Sequence, residues 1–335
     1  MKRLGVIILN WNGIELLKRF LPIASRFTVS DEADLIVADN GSDDGSATWV
    51  REHHPEVKIL EFDRNYGFAE GYNKAIAAVD YPYVTLLNSD VEVTEGWWQP
   101  LLRFIESNPG VGAVQPKILS LRDRDSFEYA GAAGGYIDNL GYPYCRGRLF
   151  DSVERDCGQY DGEPADVAWA SGACLTMPRK LYLQLGGLDK DFFAHMEEID
   201  LCIRVIYAGY RVCALTDSKV YHLGGASLSK ENPKKTYLNF RNNLLLLHKN
   251  MPRREGCKKL FARRLADTLA FLMFLAKGDL PNARAVLRAH RDFKKMRGNY
   301  VDLPDRNLFD TLPGTGKSAL WHRYVLRRKS LNPQK

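Results

Sequence analysis

Over its first 120 residues the chain alternates short apolar runs with amphipathic ones, and this alternation constrains the fold more than any other feature. LGVIILN (4–10), DLIVADN (34–40), VKILEF (57–62), YVTLLN (83–88) and VGAVQPKIL (111–119) read as strands. Between the first two, Ile14, Leu17, Leu21 and Ala24 mark one face of a helix that Pro22 is expected to kink or shorten. GSDDGS (41–46) is a turn in which Ser46 or a nearby Asp caps the next helix. FAEGYNKAIAAV (68–79) and WWQPLLRFIESN (97–108) predict two more helices. Strand and helix in alternation imply right-handed βαβ units, hence a parallel sheet covered by helices on both faces. Ligands bind such sheets beyond the carboxyl ends of the strands. Asn10, Asp39, Asn65 and Asp90 all fall at or just after strand ends, which gathers polar groups along one edge.

The rest of the chain is patterned differently. Residues 120–165 are rich in Gly, Tyr and Asp with weak periodicity, and predict an inserted region of loops and short strands. VAWASGACLTM (167–177) restores a strand pattern, and Ile199, Cys202, Ile203 and Ile206 form one apolar helical face. From about 233 onward the pattern is mainly helical. LADTLAFLMFLA (265–276) is too short to span a bilayer, which needs roughly 20 apolar residues. The basic start and short apolar run of MKRLGVIILNWNG lack a small-residue cleavage site, so it reads as a first strand rather than a secretion signal. The six cysteines form no CxxC pair, so neither a zinc site nor a disulfide framework is indicated, and a reducing cytoplasm is the expected setting. The net charge of +6 is unevenly spread: Lys249 to Arg264 holds seven basic residues against the single acid Glu255, a composition that attracts polyanions. LPGTGKSAL (312–320) fails as a phosphate loop, because Thr311 stands where the first glycine belongs and no apolar strand precedes it.

Four stretches can carry chemistry. In VTLLNSDVEV (84–93), Asp90 either caps the turn after a buried strand or holds a divalent cation; Mg²⁺ and Mn²⁺ favour carboxylate oxygens together with substrate phosphates. In MEEID (196–200), Glu197 and Glu198 are favoured at a helix N-terminus by the helix dipole, and Asp200 can pair with Arg204 four residues on. The sharper reading makes Glu198 a general base toward a hydroxyl. In VYHLGGAS (220–227), His222 is either simply packed, or brought to a ligand by the tight turn at Gly224 and Gly225, where imidazole suits Mn²⁺. In RNYGFAEGYNKA (64–75), Asn65, Gly67, Gly71 and Asn73 resemble a phosphate-cradling turn into a helix.

Together with VIILNWNG, VADNGSDDGS, LLNSD, ASGACLTMPR and FFAHMEEIDLCIR, taken in order over roughly residues 4–250, these stretches resemble glycosyltransferase family 2, and within it the bacterial rhamnosyltransferase-like group. The resemblance implies a GT-A fold: an α/β, Rossmann-like, mostly parallel sheet flanked by helices, here with a helical C-terminal extension. It implies a nucleotide-binding half at 1–118, an acceptor half at 119–250 and a basic extension at 251–335. By it, Asp39 binds the nucleotide base with Asn10 and Asn40 nearby, and Asn65 and Gly67 line the sugar diphosphate. Asn88, Ser89 and Asp90 replace the family's DxD, with Asp90 and His222 on an Mn²⁺ or Mg²⁺ ion. Ser171, Gly172 and Ala173 form the floor under the sugar. Glu198 takes the base position, with Glu197 and Asp200 as the alternatives. Two residues depart from the family pattern: Asn88 replaces the first acid of DxD, and Glu198 stands where Asp is usual.

The implied reaction is an inverting transfer of a sugar, rhamnose or similar, from a deoxythymidine- or uridine-diphosphate donor to a saccharide acceptor on a lipid carrier, in surface polysaccharide synthesis. The rival from another class is a sugar-nucleotide-binding protein without turnover, motivated by Asn88 and Glu198. A nucleotidylyltransferase would need a Gly-rich basic loop after the first strand, where this chain has NWNGIELLKR. The basic segment 253–297 is read either as a helix packed on the catalytic domain or as one lying on an anionic membrane at the inner face of the cell membrane. Nucleic acid is not expected, since the basic residues come without interleaved aromatics or a DNA-binding motif.

Overall fold

The computed structural model describes residues 2–224 and 232–331. Its first half alternates as the sequence predicts: β1 (Leu4–Asn10), α1 (Ile14–Thr28), β2 (Ala33–Asp39), α2 (Ser46–His53), β3 (Lys58–Glu61), α3 (Gly67–Ala78), β4 (Tyr83–Leu87), β5 (Val91–Val93), α4 (Gln99–Ser107) and β6 (Val111–Ser120). β1 pairs in parallel with both β2 and β4, and β2 with β3. Successive side chains of β1 point to opposite faces. Leu4, Val6 and Ile8 therefore pack with Leu17, Leu21 and Ala24 of α1 and Leu101 of α4, whereas Ile7 packs with Tyr72, Ala75 and Ile76 of α3. Full burial of each such aliphatic side chain contributes about 1.5–3 kcal/mol. This two-sided burial explains why the strands read as continuous apolar runs rather than alternating ones.

One feature differs from the sequence expectation, and one qualifies the mostly parallel sheet. α1 runs unbroken through Pro22, whose ring lies on the solvent side where the missing N–H is not buried. The sheet is also mixed. After a small antiparallel sheet of β7 (Gly135–Ile137), β8 (Pro143–Cys145), β9 (Arg148–Leu149) and β10 (Ser152–Val153), the chain adds β11 (Ala165–Asp166) and β12 (Cys174–Pro178). β12 enters antiparallel between β4 and β6, with Cys174 opposite Leu87 and Pro178 opposite Tyr83. An antiparallel strand begins where its parallel neighbours end, so residues 171–173 arrive at the carboxyl edge of β4.

After α5 (Arg179–Gln184) and α6 (Glu197–Tyr207), β13 (Arg211–His222) runs parallel to β6. A register irregularity between Leu215 and Lys219 precedes its last part, which also pairs antiparallel with β5. Three α-helices follow, α7 (Pro233–Lys249), α8 (Arg253–Ala276) and α9 (Leu280–Met296), and the described chain ends with short helical turns at Arg297–Asn299, Phe309–Thr311 and Trp321–Val325. The rejected phosphate loop is bound to the inserted region instead: the Gly314 carbonyl accepts from Tyr144 Oη at 3.1 Å, and Ala319 N donates to Asp138 Oδ2 at 3.0 Å.

Candidate active site

The carboxyl ends of β1 and β2 hold the first cluster. Asn10 Nδ2 donates to Asp39 Oδ2 at 3.0 Å, and Asp39 Oδ1 accepts from Ser42 N at 2.8 Å. Both side chains are buried, yet Asn10 Oδ1 has no hydrogen-bond partner among the described residues. A buried acceptor left unpaired is costly, which suits a ligand that donates to it. Asn40 joins the next loop: its Nδ2 donates to Asn65 Oδ1 at 3.0 Å and to the Gly67 carbonyl at 3.1 Å, and its Oδ1 accepts from Tyr66 N at 3.0 Å. Gly41, at φ +72°, makes this approach possible, because a Cβ there would lie 2.5 Å from Arg64 Cα. Asn73 serves elsewhere; its Oδ1 accepts from Tyr182 Oη at 2.6 Å and Leu188 N at 2.9 Å, locking α3 to the segment after α5. Asp44 does the capping the turn predicted: it accepts from Ser46 N at the start of α2 and from Ile14 N at the start of α1, at 3.0 and 2.9 Å.

The second cluster is assembled by strand pairing. His222 lies opposite Val91 in the β5–β13 ladder, and the next rung is Leu223 N donating to the Asp90 carbonyl at 3.0 Å. That register places His222 Nε2 3.0 Å from Asp90 Oδ1, across 132 positions of sequence. Behind the imidazole, Nδ1 stands 3.6 Å from Glu128 Oε1. Burial opposes a charged imidazole, but the two carboxylates outweigh it and push the His222 pKa up to about 10. Glu128 is itself buried, and the nearby positive His222 together with a hydrogen bond from Ala130 N holds its pKa below the usual range against the effect of burial. Asn88 and Ser89 occupy the turn before Asp90, and Asn88 N donates to the Ala173 carbonyl at 3.0 Å. Gly225 of the turn after His222 lies outside the described residues.

These donors fit a hard divalent ion. Asp90 and His222 offer one carboxylate and one imidazole, a pairing that Mn²⁺ accepts. Asp90 Oδ1 and His222 Nε2, 3.0 Å apart, would both lie within reach of one such ion once the imidazole gives up its proton. No three His, Cys, Asp or Glu residues among those described are arranged to hold a metal. A substrate phosphate would have to complete the coordination, which is the usual way such ions bind. Glu128 stands on the far side of the imidazole, 3.6 Å from Nδ1, where a carboxylate commonly backs a ligating histidine.

The third cluster is the floor and the acidic helix. Ser171 N donates to Gln115 Oε1 at 2.8 Å, and Ser171 Oγ donates to the Ala130 carbonyl at 2.8 Å, fixing residues 171–173. Gly172 faces α6: a Cβ built on it would meet Glu198 Cβ at 3.5 Å and the Phe68 ring at 3.9 Å. Glu198 Oε2 is buried with no hydrogen-bond partner among the described residues, and burial pushes the Glu198 pKa up to about 7. Glu197 is raised well above the usual carboxylate range, by burial first and then by the charge of Glu198. Asp200 is different. It is fully buried and ion-paired to Arg204 and Lys249, each at 2.8 Å, and Asn250 Nδ2 donates to it at 3.0 Å. The i,i+4 ion pair expected from the sequence is therefore present, within a larger network.

The loop leading into α6 carries three non-glycine residues at positive φ: Phe193 at +66°, His195 at +69° and Met196 at +75°. Such conformations each cost about 1–3 kcal/mol and persist only when surroundings enforce them. Here α7 enforces them. Asn242 Nδ2 donates to the carbonyls of Phe192, Ala194 and His195 at 2.9, 2.8 and 2.6 Å, and Arg241 Nη2 reaches the Phe192 carbonyl at 2.8 Å. Sequence reasoning missed Asn242, Arg241 and Glu128. Paired asparagines after an arginine in an apolar helix (FRNNLLLL, 240–247) were the available signal for the first two.

Known proteins resemble this chain in sequence and in fold. Residues 6–154 match the family described as Glycosyl transferase family 2. The chain is 29% identical over 239 residues, 65% of it and 75% of the relative, to the N-acetylglucosaminyl-diphospho-decaprenol L-rhamnosyltransferase of Mycobacterium tuberculosis. It is 24% identical over 249 residues, 72% of it and 74% of the relative, to the low-salt glycan biosynthesis hexosyltransferase Agl10 of Haloferax volcanii. Two solved structures share the fold. The mannosyltransferase PcManGT of Pyrobaculum calidifontis, in complex with GDP-Man and Mn²⁺, has a TM-score of 0.54 at 16% identity, covering 87% of each chain. GalNAc-T7 with UDP, GalNAc and Mn²⁺ has a TM-score of 0.61 at 14% identity, covering 92% of this chain and 59% of that one.

Proposed function

We propose, from the premise that residues 6–154 belong to glycosyltransferase family 2, that this protein is a metal-dependent inverting glycosyltransferase. It moves a sugar, rhamnose or a similar one, from a nucleoside diphosphate donor to a lipid-linked saccharide. The observation that carries this reading is the convergence of Asp90 and His222 at the sheet edge on which Asn10 and Asp39 also lie, with the Ala173 end of the floor hydrogen-bonded beside Asp90 and Glu198 against Gly172.

In this reading Asn10, Asp39 and Asn40 receive the nucleoside, and Asn65 with Gly67 lines the sugar diphosphate. Asn88, Ser89 and residues 171–173 position the sugar. Asp90 and His222 hold Mn²⁺ or Mg²⁺, which when bound supplies Lewis-acid stabilisation to the departing diphosphate. Asn88 in place of a carboxylate leaves the site with one fewer negative charge, so binding of the ion depends more on the diphosphate. Glu198 accepts the proton of the attacking acceptor hydroxyl; its raised pKa makes it an effective base near neutral pH. Attack on the anomeric carbon opposite the leaving group gives inversion in one displacement. Glu197 is the neighbouring alternative, while the ion pairs of Asp200 assign it to holding α6 in place.

The rhamnosyl and lipid-linked assignments draw on the name of the mycobacterial relative. The chain divides into a catalytic unit, residues 1–250, and a basic helical extension, residues 251–335, acting peripherally at the inner face of the cell membrane. No helix among the described residues is long and apolar enough to cross a membrane. The test is transfer from a panel of nucleoside diphosphate sugars to a prenyl-diphosphate-linked acceptor, with the product's anomeric configuration read by NMR. Inversion supports the proposal; retention refutes it. Donor binding without any transfer would favour the non-catalytic sugar-nucleotide-binding reading.

A further inference from the structure

Helix α8 is turned the wrong way for a helix of a water-soluble surface. Its buried positions include Arg263 and Asp267, only 2% and 1% exposed, while Phe261, Leu265, Leu269, Leu272 and Met273 are 51–64% exposed. The polar side is fastened inward. Arg263 bonds Asn243 of α7 and pairs with Asp267 at 3.1 Å, its guanidinium lies 3.8 Å from the centre of the Tyr142 ring, and Asp267 in turn meets His290 of α9 at 3.0 Å. Phe261, Leu265, Leu269 and Met273 recur every four residues, so they form one stripe along the outer face.

Along the segment that carries this stripe the fully exposed charges have a single sign. From residue 253 to 295 every fully exposed charged residue is basic, among them Arg254, Lys258, Arg264, Lys277 and Arg284; Glu255, Asp279 and Asp292 are half-covered and Asp267 is buried. A second exposed apolar segment repeats the pattern. Trp321, Tyr324, Val325 and Leu326 are exposed and are followed by exposed Arg327, Arg328 and Lys329. Its rings reach the inward side of α8: Tyr324 to Phe150 at 5.7 Å, Phe150 to Tyr142 at 5.8 Å, and Tyr142 to Arg263.

We propose that the outer face of α8 and the segment 321–329 form one docking surface for an anionic lipid bilayer. The apolar stripe enters the headgroup–acyl boundary, and the surrounding cations meet lipid phosphates. An apolar stripe flanked mostly by basic side chains is the pattern of interfacial helices. Trp321 and Tyr324 suit the interface because each has an apolar body and a polar tip. The buried Arg263–Asp267–His290 network fixes the helix so that the stripe points outward before the membrane is met. This inference deepens the peripheral placement proposed above and does not depend on sugar transfer, since docking needs neither donor nor acceptor.

The test is flotation of the full-length chain with phosphatidylglycerol-containing vesicles and with pure phosphatidylcholine vesicles. The expected result is partition onto the anionic vesicles, weakened by salt and reduced on the order of tenfold by the exposed double substitution Leu265→Gln/Leu269→Gln. Quenching by brominated lipids should be weaker in Trp321→Phe than in the parent chain. Unchanged partition of the double variant would overturn the α8 surface while leaving peripheral placement intact. No partition of the parent chain onto any vesicle would overturn both. A lipid-free dimer that the double substitution dissociates, seen by light scattering, would make the face a contact between two copies and refute the lipid proposal.

Discussion

Replacing Glu198 with Gln should stop sugar transfer and at the same time stabilise the protein at alkaline pH. Burial raises the Glu198 carboxyl from 4.5 to about 7, so the native state holds a proton that the unfolded chain releases at much lower pH. The stability this gives is fully present below about 4.5 and is lost as pH rises through about 7. The whole shift corresponds to about 3.4 kcal/mol. Glu198 is only half-buried and interacts with Glu197, so screening reduces the expected difference to about 1–2 kcal/mol. Gln is close in shape and never carries the charge. The melting temperature of E198Q should therefore match that of the parent near pH 4.5 and exceed it by about 2–4 °C at pH 8. Transfer by E198Q should fall by about 10²–10⁴-fold, while the parent's rate should climb as pH passes through about 7. Thermal melts across pH 4.5–8, paired with initial rates, test both halves. A melting difference independent of pH, or near-parental transfer by E198Q, would refute the assignment of Glu198 as the buried base.

Asp200→Asn should lower stability by about 3 kcal/mol, because Arg204 and Lys249 lose a fully buried partner, yet leave donor affinity unchanged; chemical denaturation and calorimetry separate the two effects. Asp90→Ala and His222→Ala should each remove the metal-dependent part of donor binding, and a binding isotherm unchanged in Mn²⁺ would exclude the residue from the metal site. Asn242→Ala releases the carbonyls of Phe192, Ala194 and His195, through which α7 holds the positive-φ loop, so it should lower kcat through displacement of α6 with little effect on donor affinity, as steady-state kinetics would show.

The cluster proposed to receive the nucleoside was legible because it is local. Asn10 and Asp39 terminate adjacent apolar strands, and the turn residues that fix them follow within a few positions. The proposed metal pair, Asp90 and His222, was joined only by the family resemblance; the residue pattern by itself showed two separate residues, since their geometry comes from β5 and the end of β13 meeting in a ladder. Val91 and Val93 form a strand of only three residues, too short for periodicity to announce. Glu128 was hidden for the same reason: nothing in FEYAG shows that it will stand behind an imidazole 94 positions later. Pro22 misled because proline disrupts a helix less when its face is exposed. On α8 the apolar residues were plain, but their direction was not, because Arg263 and Asp267 reverse the usual rule by finding partners inside.

The most direct test of the central claim is a calorimetric titration of the intact chain with nucleoside diphosphate sugars, first in Mn²⁺ and then in EDTA. Metal-dependent binding of one donor, lost in Asp90→Ala, is the predicted result. Binding of a donor with equal affinity in Mn²⁺ and in EDTA would contradict it.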